Sequence, residues 1–369
     1  MKYYIIAGER SGDLHASNLI KSIKQLDKNS NVRGLGGDYL ISEGMSLFKN
    51  YSEISFMGFL EVFKNLKTIS KVLKSCKQDI LDFQPDALIL VDFAGFNLKI
   101  AEFAKKNNIK VFYYISPKIW AWNQKRAYKI KRLVDKMLVI LPFEKEFYKK
   151  YDYEVDYVGN PLKDAISNFA SDPTFAQKLP SSKPIIAILP GSRKQEVDNI
   201  LMTCGGIVNN YPDHQFVIAG VSNLSKEFYE RFTSQYQATL VIDQTYDLLK
   251  NAQAAIVTSG TATLETALFK VPQIVVYKTS PITYMIAKNL IKVPYISLVN
   301  LIAGKEVVKE LIQNDFNSNQ LKIELDKLLF DQKSLKTIKD DYDKLDLVLG
   351  EAGASMKAAK LISEGLTTS

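Results

Sequence analysis

One turn near the middle of the chain carries two cations where a strand is predicted to end and a helix to begin. In IAILPGSRKQE (186–196), Gly191, Ser192 and Arg193 follow an apolar run, and Lys194 comes next. Backbone N–H groups and the helix dipole already favour anions at the start of a helix. The added cations therefore indicate a bound anion of more than one charge. The alternative is that Ser192 caps the helix beside solvated cations; the spacing of a Walker A motif is absent.

A second turn of small residues follows another apolar run. In VTSGTATLE (257–265), Ser259, Gly260 and Thr261 stand where a helix is predicted to begin, which suits phosphate oxygens. Glu265 lies one helical turn further on, on the side of Thr261, so its carboxylate could accept from ribose hydroxyls. A capping interaction is the alternative for Glu265. The chain has no Gly-x-Ser-x-Gly elbow, so Ser259 is not predicted to be a hydrolase nucleophile.

Two strand-end loops in the first half carry carboxylates. In VDFAGFN (91–97), Asp92 ends a strongly apolar strand, where a carboxylate can act as a general base. In AGERSGDLHAS (7–17), glycines flank Ser11, and Asp13 opens a helix, so a ligand could approach the backbone closely. Ordinary helix capping is the alternative for both aspartates.

Both tryptophans of the chain lie in one basic loop. In SPKIWAWNQKR (116–126), Trp120 and Trp122 precede Lys125 and Arg126. Aromatic side chains beside cations suit a membrane interface or a lipid headgroup, and they also suit single-stranded nucleic acid. A buried tryptophan pair beside a solvated helix is the third interpretation.

An apolar segment, ISFMGFLEVFKNLKTISKVL (54–73), is predicted to form a helix. Its helical spacing indicates either a face buried against the sheet or an apolar patch that dips into a membrane. The predicted core stripe contains Phe59, Phe63, Leu66, Ile69 and Leu73, and Met57 is among the apolar residues outside it. We expect Met57 and Phe59 to contribute to a membrane contact in the second case.

The composition limits what these loops can belong to. A chain of 369 residues predicts two domains. A net charge of +8 favours anionic partners: nucleic acid, an anionic membrane surface or phosphorylated substrates. Two cysteines and two histidines with no shared motif predict a reduced, cytoplasmic protein without a metal site. No signal peptide and no apolar run of about 20 residues is seen, so any membrane role is expected to be peripheral.

Short apolar runs alternate with helix-like segments in both halves, which predicts buried parallel strands in two doubly wound α/β domains facing a cleft. A stretch rich in Ser and Pro between 167 and 184 separates the halves. GLGGDY (34–39) lacks the third glycine of a dinucleotide fingerprint. The predicted strands are 3–8, 32–37, 87–93, 111–116, 137–141 and 155–159, then 185–191, 216–220, 240–242, 255–260, 273–278 and 296–300.

Taken in order, these loops resemble the motifs of the lipid A disaccharide synthase family. The resemblance covers AGERSGDLHAS, VDFAGFN, ISPKIWAWNQKRAYKIKR, VGNPLKD, ILPGSRKQE, VTSGTATLE and SLVNLIAG, from residue 7 to about 304, and VVKELIQN extends it. It implies a GT-B type glycosyltransferase with two Rossmann-like domains. Residues 1–167 would serve the acceptor and the membrane, 168–345 would hold the UDP-sugar donor, and a C-terminal helix in 346–369 would pack back on the first domain.

The resemblance also implies a reaction. UDP-2,3-diacylglucosamine and 2,3-diacylglucosamine 1-phosphate would be joined with inversion to a β(1→6) disaccharide 1-phosphate, releasing UDP without a metal or another cofactor. The enzyme would work peripherally at the cytoplasmic face of the inner membrane of a Gram-negative bacterium, on an anionic surface. No nucleic-acid partner is implied, and a homodimer is left open.

Residue roles follow from the same resemblance. Asp92 would deprotonate the acceptor hydroxyl, and Arg193, with the N–H groups near Ser259 to Thr261, would offset charge on UDP. Glu265 would hold the ribose, and Asn300 the donor sugar or phosphate. Three further roles concern the acceptor: Lys125 and Arg126 would meet its phosphate or anionic lipid, and Asp13 would support its loop.

Two other functions fit parts of the pattern. A UDP-N-acetylglucosamine epimerase or a peptidoglycan-type transferase shares the two-domain plan. A basic nucleic-acid-binding protein would use Trp120, Trp122 and the helix that follows them.

Overall fold

The computed structural model describes residues 1–53 and 66–367, which form two compact units. The first comprises Met1–Ser167 with Leu349–Ser369, and the second comprises Asn168–Val348. The predicted membrane residues Met57 and Phe59 lie outside the described residues. None of the helices in the described part of the chain combines the length and apolar character needed to cross a membrane.

The first unit is built on a sheet of seven parallel strands in the order β3-β2-β1-β4-β5-β6-β7. Its strands are β1 (Lys2–Ala7), β2 (Asn31–Gly36), β3 (Ser46–Asn50), β4 (Ala87–Val91), β5 (Lys110–Tyr114), β6 (Lys136–Val139) and β7 (Asp156–Tyr157). Its helices are α1 (Arg10–Leu26), α2 (Asp38–Ser42), α3 (Leu66–Phe83), α4 (Ala94–Lys106), α5 (Ile119–Trp122), α6 (Arg126–Leu133), α7 (Glu144–Lys149) and α8 (Pro161–Ser167).

The second unit repeats this plan with six parallel strands in the order β10-β9-β8-β11-β12-β13. Its strands are β8 (Ile185–Leu189), β9 (Gln215–Gly220), β10 (Thr239–Ile242), β11 (Ala252–Thr258), β12 (Gln273–Tyr277) and β13 (Lys309–Ile312). Its helices are α9 (Lys194–Gly205), α10 (Lys226–Tyr236), α11 (Thr245–Asn251), α12 (Thr261–Leu268), α13 (Pro281–Leu290), α14 (Leu298–Ala303), α15 (Ser318–Phe330) and α16 (Gln332–Leu349).

The final helix, α17 (Ala354–Thr367), packs on α1 of the first unit. Asp164 on α8 accepts hydrogen bonds from the backbone N–H groups of Gly353, Ala354 and Ser355, and so caps the start of α17. The predicted C-terminal segment began at 346, whereas the structure ends α16 at Leu349 and starts α17 five residues later.

The central strands of each sheet are apolar along their length because helices cover both faces of the sheet. All five residues of β4, Ala87–Val91, are completely buried. In α3 the buried residues are Val72, Cys76 and Ile80, one helical turn apart, while Ile69 and Leu73 of the predicted stripe are half-buried.

One predicted strand is absent from the structure, and two observed strands were not predicted. Residues 296–300 do not form a strand, because Ser297 caps α14 and Leu298 opens that helix. The outer strand of the second sheet is β13, Lys309–Ile312, which pairs with β12. The edge strand β3 was also missed by the sequence analysis; its residues are mostly half-buried, so its apolar pattern is weak.

In each unit the strand order reverses beside the first strand. The reversal lies between β1 and β4 in the first unit and between β8 and β11 in the second. Loops at the carboxyl ends of such strand pairs diverge and leave room for a ligand. The loops that carry Ser11 and Asp92 lie at the first of these places, and those that carry Arg193 and Ser259 lie at the second.

Candidate active site

In the second unit, the turn after β8 leads into α9 with its helix start open. Arg193 is the N-cap residue, and its side chain makes no capping hydrogen bond to a described backbone group. Ser192 and Arg193 are both exposed, so Ser192 is not the cap considered as the alternative. The arrangement presents backbone N–H groups and a guanidinium together, which suits a multiply charged anion.

Gly191 is required by the shape of this turn. Its φ is +94°, a left-handed value that a side chain disfavours. A Cβ there would lie 2.9 Å from Oε2 of Glu196 and 3.1 Å from Cγ2 of Thr258. The glycine therefore lets the β8 turn pass close to the end of β11. Asn223 steadies the turn by donating to the carbonyl of Ser192 over 3.1 Å.

Glu196 is a member of this site that the sequence analysis did not single out. Its Oε1 lies 3.9 Å from a guanidinium nitrogen of Arg193. Burial raises the pKa of the Glu196 carboxyl, and the charge of Arg193 opposes that shift. Burial and the charge of Glu196 also raise the pKa of Tyr277, at the end of β12. The i, i+3 spacing from Arg193 was the available signal.

The turn after β11 forms the other side of the strand-order reversal. Gly260 is the N-cap of α12, with no side-chain cap, and a Cβ there would meet no described atom within 4 Å. The Ser259 hydroxyl donates to the carbonyl of Ile296 over 2.9 Å, so its proton is used within the protein. The Ser259 N–H is used as well, because it donates to the carbonyl of Val276 over 3.0 Å, so Ser259 does not fit the predicted role of an N–H donor to phosphate. The open front of this turn leaves the N–H groups of Gly260 and Thr261 for phosphate oxygens.

Glu265 lies one turn inside α12 and is half-buried. Its Oε1 accepts a hydrogen bond of 2.8 Å from the Tyr246 hydroxyl. Burial raises the pKa of Glu265, and the Tyr246 hydrogen bond partly offsets that shift. Its other carboxylate oxygen keeps acceptor capacity for a ligand hydroxyl.

Asn300 does not fit its predicted role of binding the donor sugar or phosphate. Its side chain is buried, and its Nδ2 donates to the carbonyl of Val308 and to Glu310, each over 2.9 Å. Its Oδ1 accepts from the N–H groups of Val307 and Val308. All four hydrogen-bonding positions of the amide are therefore used, and Asn300 instead fastens α14 to the strand β13.

In the first unit, the loops after β1 and β4 meet closely. A Cβ on Gly8 would lie 2.3 Å from the ring of Phe93, and one on Gly12 would lie 3.6 Å from Val91. Only glycine allows the first approach. The two predicted motifs AGERSGD and VDFAGFN are thus packed against each other at the strand-order reversal.

Asp92 is held at this point by its own backbone. Its φ is +43°, and the following Phe93 has a φ of +48°, both left-handed. The carbonyl of Asp92 accepts hydrogen bonds from Asn97 Nδ2, over 2.8 Å, and from the Tyr113 hydroxyl. Strain of this kind persists where the surroundings over-determine the backbone, and it is concentrated at functional sites.

The electrostatic surroundings of Asp92 suit a proton acceptor. Burial raises the pKa of its carboxyl to about 6, Lys118 opposes that rise, and Glu9 adds to it. A carboxylate with such a pKa is ionised at neutral pH yet more basic than an ordinary aspartate. Lys118 and Glu9 belong to the motifs that the sequence analysis quoted, but their proximity to Asp92 came only from the fold.

Asp13 holds a neighbouring loop in place. It is buried and accepts from the N–H groups of Gly37, over 2.6 Å, and Tyr39, over 3.0 Å. A Cβ on Gly37 would lie 2.4 Å from the ring of Tyr51 and 2.8 Å from Asp13 itself. The glycines of GLGGDY are thus needed for close packing around Asp13. Ser11, two residues before Asp13 on α1, is half-buried.

Trp120 is not the exposed contact that the sequence analysis considered. It is only 4% exposed, packs edge-on against Phe143 at 5.0 Å, and donates its Nε1 hydrogen to Glu144 over 3.2 Å. Glu144 also accepts from the N–H groups of Ile140 and Leu141. Burial raises the pKa of Glu144 to about 7. Trp120 therefore anchors the loop from inside.

The rest of this loop faces outward. Trp122 is 38% exposed, and the Arg126 guanidinium lies over its ring at 4.8 Å. Lys125 is exposed beside them. An aromatic ring stacked under a cation is suited to an anionic headgroup. Across residues 1–53 and 66–367, no three His, Cys, Asp or Glu side chains are grouped to hold a metal ion.

Solved structures show which fold class the chain has. The chain is similar to a UDP-GlcNAc 2-epimerase from Neisseria meningitidis bound to UDP-GlcNAc, with a TM-score of 0.60 and 14% identity over 100% of both chains. It is also similar to CalG4, the calicheamicin glycosyltransferase, with a TM-score of 0.62 and 12% identity over 100% of this chain and 98% of the other. The predicted GT-B type fold of two α/β domains is confirmed.

Sequence relatives decide the family within that class. The family model of lipid-A-disaccharide synthetase matches residues 3–364. The lipid-A-disaccharide synthase of Syntrophotalea carbinolica is 35% identical, over 98% of this chain and 94% of that protein. The synthase of Syntrophus aciditrophicus is 38% identical, over 96% of this chain and 95% of that protein. The chain therefore belongs to the lipid A disaccharide synthase family: it is an enzyme, a glycosyltransferase of lipid A biosynthesis.

Proposed function

We propose that this enzyme transfers the sugar of UDP-2,3-diacylglucosamine, with inversion, to the 6-hydroxyl of 2,3-diacylglucosamine 1-phosphate. The products would be the β(1→6)-linked disaccharide 1-phosphate and UDP. The observation that carries this proposal is the setting of Asp92. This carboxylate lies at a strand-order reversal, Asp92 and Phe93 both have left-handed φ angles, and burial raises the pKa of Asp92 to about 6. Family membership supports the reaction class.

The second unit would hold the donor. The diphosphate would lie against the open starts of α9 and α12, with Arg193 and the N–H groups of Gly260 and Thr261 offsetting its charge. Glu265 would accept from the ribose hydroxyls through its free oxygen. The epimerase of similar fold is bound to UDP-GlcNAc, which supports a nucleotide-sugar ligand for this plan.

The first unit would supply the proton acceptor. The 6-hydroxyl oxygen would attack the anomeric carbon and give its proton to Asp92. The bond between that carbon and the β-phosphate oxygen would break, and its electron pair would leave with UDP. Preorganised donors at such a leaving group commonly contribute about 3–4 kcal/mol each; Arg193 would be the principal one.

The acceptor side would also meet the membrane. Trp122, Lys125 and Arg126 form an exposed aromatic and cationic surface that suits a sugar phosphate or an anionic headgroup. Trp120 and Glu144 would keep this loop in position. On this basis we place the enzyme peripherally at the cytoplasmic face of the inner membrane, where both acylated substrates would lie.

The test measures UDP release by purified protein from UDP-2,3-diacylglucosamine in detergent, with and without 2,3-diacylglucosamine 1-phosphate. UDP should appear only with both lipids, and NMR of the product should show a β linkage. Asp92→Ala should abolish release, while Asp82→Ala, which removes an exposed carboxylate of the same unit on α3, should not.

Other outcomes would redirect the proposal. Turnover of soluble UDP-GlcNAc without an acceptor would favour an epimerase. Acceptor-dependent UDP release by Asp92→Ala at the wild-type rate would keep the reaction and remove Asp92 as the base. An α-linked product would contradict the inverting displacement.

A further inference from the structure

A segment of the second unit leaves the donor-side edge of the sheet and returns to it. We call residues 281–295 the donor lobe; they comprise α13 and the turn after it. At its start, the Thr279 N–H donates to Gln313 Oε1 over 2.7 Å. At its end, the Ile296 N–H donates to Glu310 over 2.9 Å, and the Ile296 carbonyl accepts from Ser259. The lobe is thus tied directly to the turn proposed to bind phosphate.

The charge within the lobe has one sign. From 266 to 305 the sequence contains no Asp or Glu, and it contains five lysines: Lys270, Lys278, Lys288, Lys292 and Lys305. Outside the lobe, Lys270 pairs with Asp343 and Lys305 pairs with Asp341, so these two are balanced by carboxylates distant in sequence. The unbalanced charge of the lobe is therefore that of Lys288 and Lys292.

The lobe also exposes apolar side chains. Met285 is 67% exposed, Leu290 is 42% exposed and Ile291 is 40% exposed. Lys288 and Lys292, on either side of Leu290 and Ile291, are exposed and form no ion pair with any described residue. By contrast, Leu298, Val299 and Asn300, directly after the lobe, are buried. The exposed apolar surface is thus confined to the lobe.

Lysines beside exposed apolar residues match an anionic bilayer. Each lysine near such a surface gains electrostatic attraction, and apolar side chains gain by entering the headgroup and acyl boundary. Leu347 on α16 lacks this setting. It is 81% exposed, but its neighbour Lys344 pairs with Asp341, and Asp343 and Asp346 lie beside it in sequence. That comparison favours a membrane for the lobe and not for α16.

We propose that the donor lobe is a membrane-contacting surface of the second unit, and that its occupant is the surface of an anionic phospholipid bilayer. It belongs to the second unit, whereas the aromatic and cationic surface belongs to the first. Because the lobe leads directly into Ile296, which Ser259 holds, a donor lipid in the bilayer would have its headgroup beside the phosphate turn. That last consequence rests on the proposed function; the contact itself does not.

The first experiment measures flotation of the full chain with vesicles of phosphatidylglycerol and phosphatidylcholine. The double variant Lys288→Gln/Lys292→Gln should bind about 25-fold more weakly, since each lysine contributes about a factor of five. Met285→Ser/Leu290→Ser/Ile291→Ser should also weaken binding. The matched controls are Lys336→Gln/Lys339→Gln and Leu347→Ser, all exposed positions on α16, and they should bind as the wild type does.

The second experiment gives a gained signal. Both native cysteines, Cys76 and Cys204, are buried, so a cysteine introduced at an exposed position can be labelled selectively. An environment-sensitive dye on Asn289→Cys should shift to shorter emission wavelength when phosphatidylglycerol vesicles are added. The same dye on Leu347→Cys should not. Phosphatidylcholine vesicles should give little change in either.

Equal flotation of the lobe variants and the wild type, or an unchanged dye at position 289, would overturn the proposal. So would a lobe response to neutral vesicles as large as that to anionic ones. UDP release from detergent-solubilised substrates distinguishes failure of the membrane proposal from failure of the proposed function. The lobe variants should release UDP from detergent-solubilised substrates as the wild type does, and should lose activity only on substrates embedded in vesicles. Absence of UDP release from the wild type would refute the reaction but leave the vesicle results valid.

Discussion

In the first unit the strand-order reversal carries carboxylates, whereas in the second unit it carries a guanidinium and open helix starts. Asp92 and Glu9 lie at the ends of β4 and β1. Gly191 and Arg193 follow β8, and Ser259 follows β11. Both places have the same topology, with parallel strands diverging at their carboxyl ends. The fold therefore supplies the position, and the loop residues supply the sign of the charge.

The two places also differ in how they are held. In the first unit the backbone is strained: Asp92, Phe93 and Ile115 all have left-handed φ angles at the ends of adjacent strands. In the turns after β8 and β11 of the second unit, the left-handed φ lies at Gly191, which tolerates it. A proton acceptor needs one carboxylate in one orientation, which strain and hydrogen bonds can impose. A phosphate site needs several exposed N–H groups, which small residues leave accessible.

The largest effect should come from Asp92→Asn. This variant keeps the shape of the side chain and removes its basicity, so kcat should fall by about 10²–10⁴. The affinity for UDP, measured by calorimetry, should be unchanged because the proposed UDP residues belong to the second unit. A loss of UDP affinity equal to the loss of kcat would break the assignment of separate tasks to the two units.

Arg193→Ala should have the next largest effect, with the opposite distribution. We expect kcat/KM to fall by about 10²–10³, together with weaker UDP binding. Arg193→Lys should restore part of both, since it keeps the charge without the planar fork. Arg231→Ala serves as the control: Arg231 is exposed in the same unit and pairs with Asp198. Wild-type UDP affinity in Arg193→Ala would contradict the anion site.

Gly191→Ala tests the shape of the second site. The added methyl group would meet Glu196 and Thr258, and the left-handed φ costs about 1–2 kcal/mol for an L-residue. The free energy of unfolding, measured with urea, should fall by at least that amount, and UDP binding should weaken. Gly95→Ala, where a Cβ has no described neighbour within 4 Å, should leave stability unchanged or slightly raised. Equal stability of the two variants would show that the Gly191 turn can relax.

The smallest effect concerns pH. If Asp92 is the base, kcat/KM should fall as pH drops through about 6, because the protonated carboxyl cannot accept a proton. Lys118 lowers the pKa of Asp92, so Lys118→Met should move this acidic limb to higher pH. Glu9 raises the same pKa, so Glu9→Gln should move the limb to lower pH.

Salt provides the check on this pair. Lys118 and Glu9 are exposed, so both shifts should shrink at high ionic strength. Shifts of the same sign in the two variants would show that they act on the structure of the loop and not through charge.

Much of the fold was predictable because buried parallel strands appear as continuous apolar runs. β4 and β8 are examples, and the loops that follow them carry Asp92 and Arg193. The prediction was wrong at 296–300, where a short apolar run forms the start of α14. Periodicity cannot separate a buried strand from a buried helix over five residues. There the Ser297 cap and the contact with Glu310 decide the structure.

Side-chain roles depended more on the fold. Trp120 and Trp122 are two residues apart in one basic loop, so the sequence predicts the same role for both. In the structure Trp120 is buried and donates to Glu144, whereas Trp122 is exposed. Asn300 lies in a recognisable motif, but its amide is satisfied by residues seven to ten positions further along the chain. Neither outcome follows from residue type.

The sequence by itself determined the two α/β units, the family and the residue types at the strand ends, because apolar periodicity and loop composition are local properties of the chain. Only the tertiary structure decided which of these residues act on one another. It brought Lys118 and Glu9 to Asp92, Glu196 to Gly191, and the residue after the donor lobe, Ile296, to Ser259. Burial, pKa and exposure are set by neighbours that are distant in sequence, so they appear only when the chain is folded.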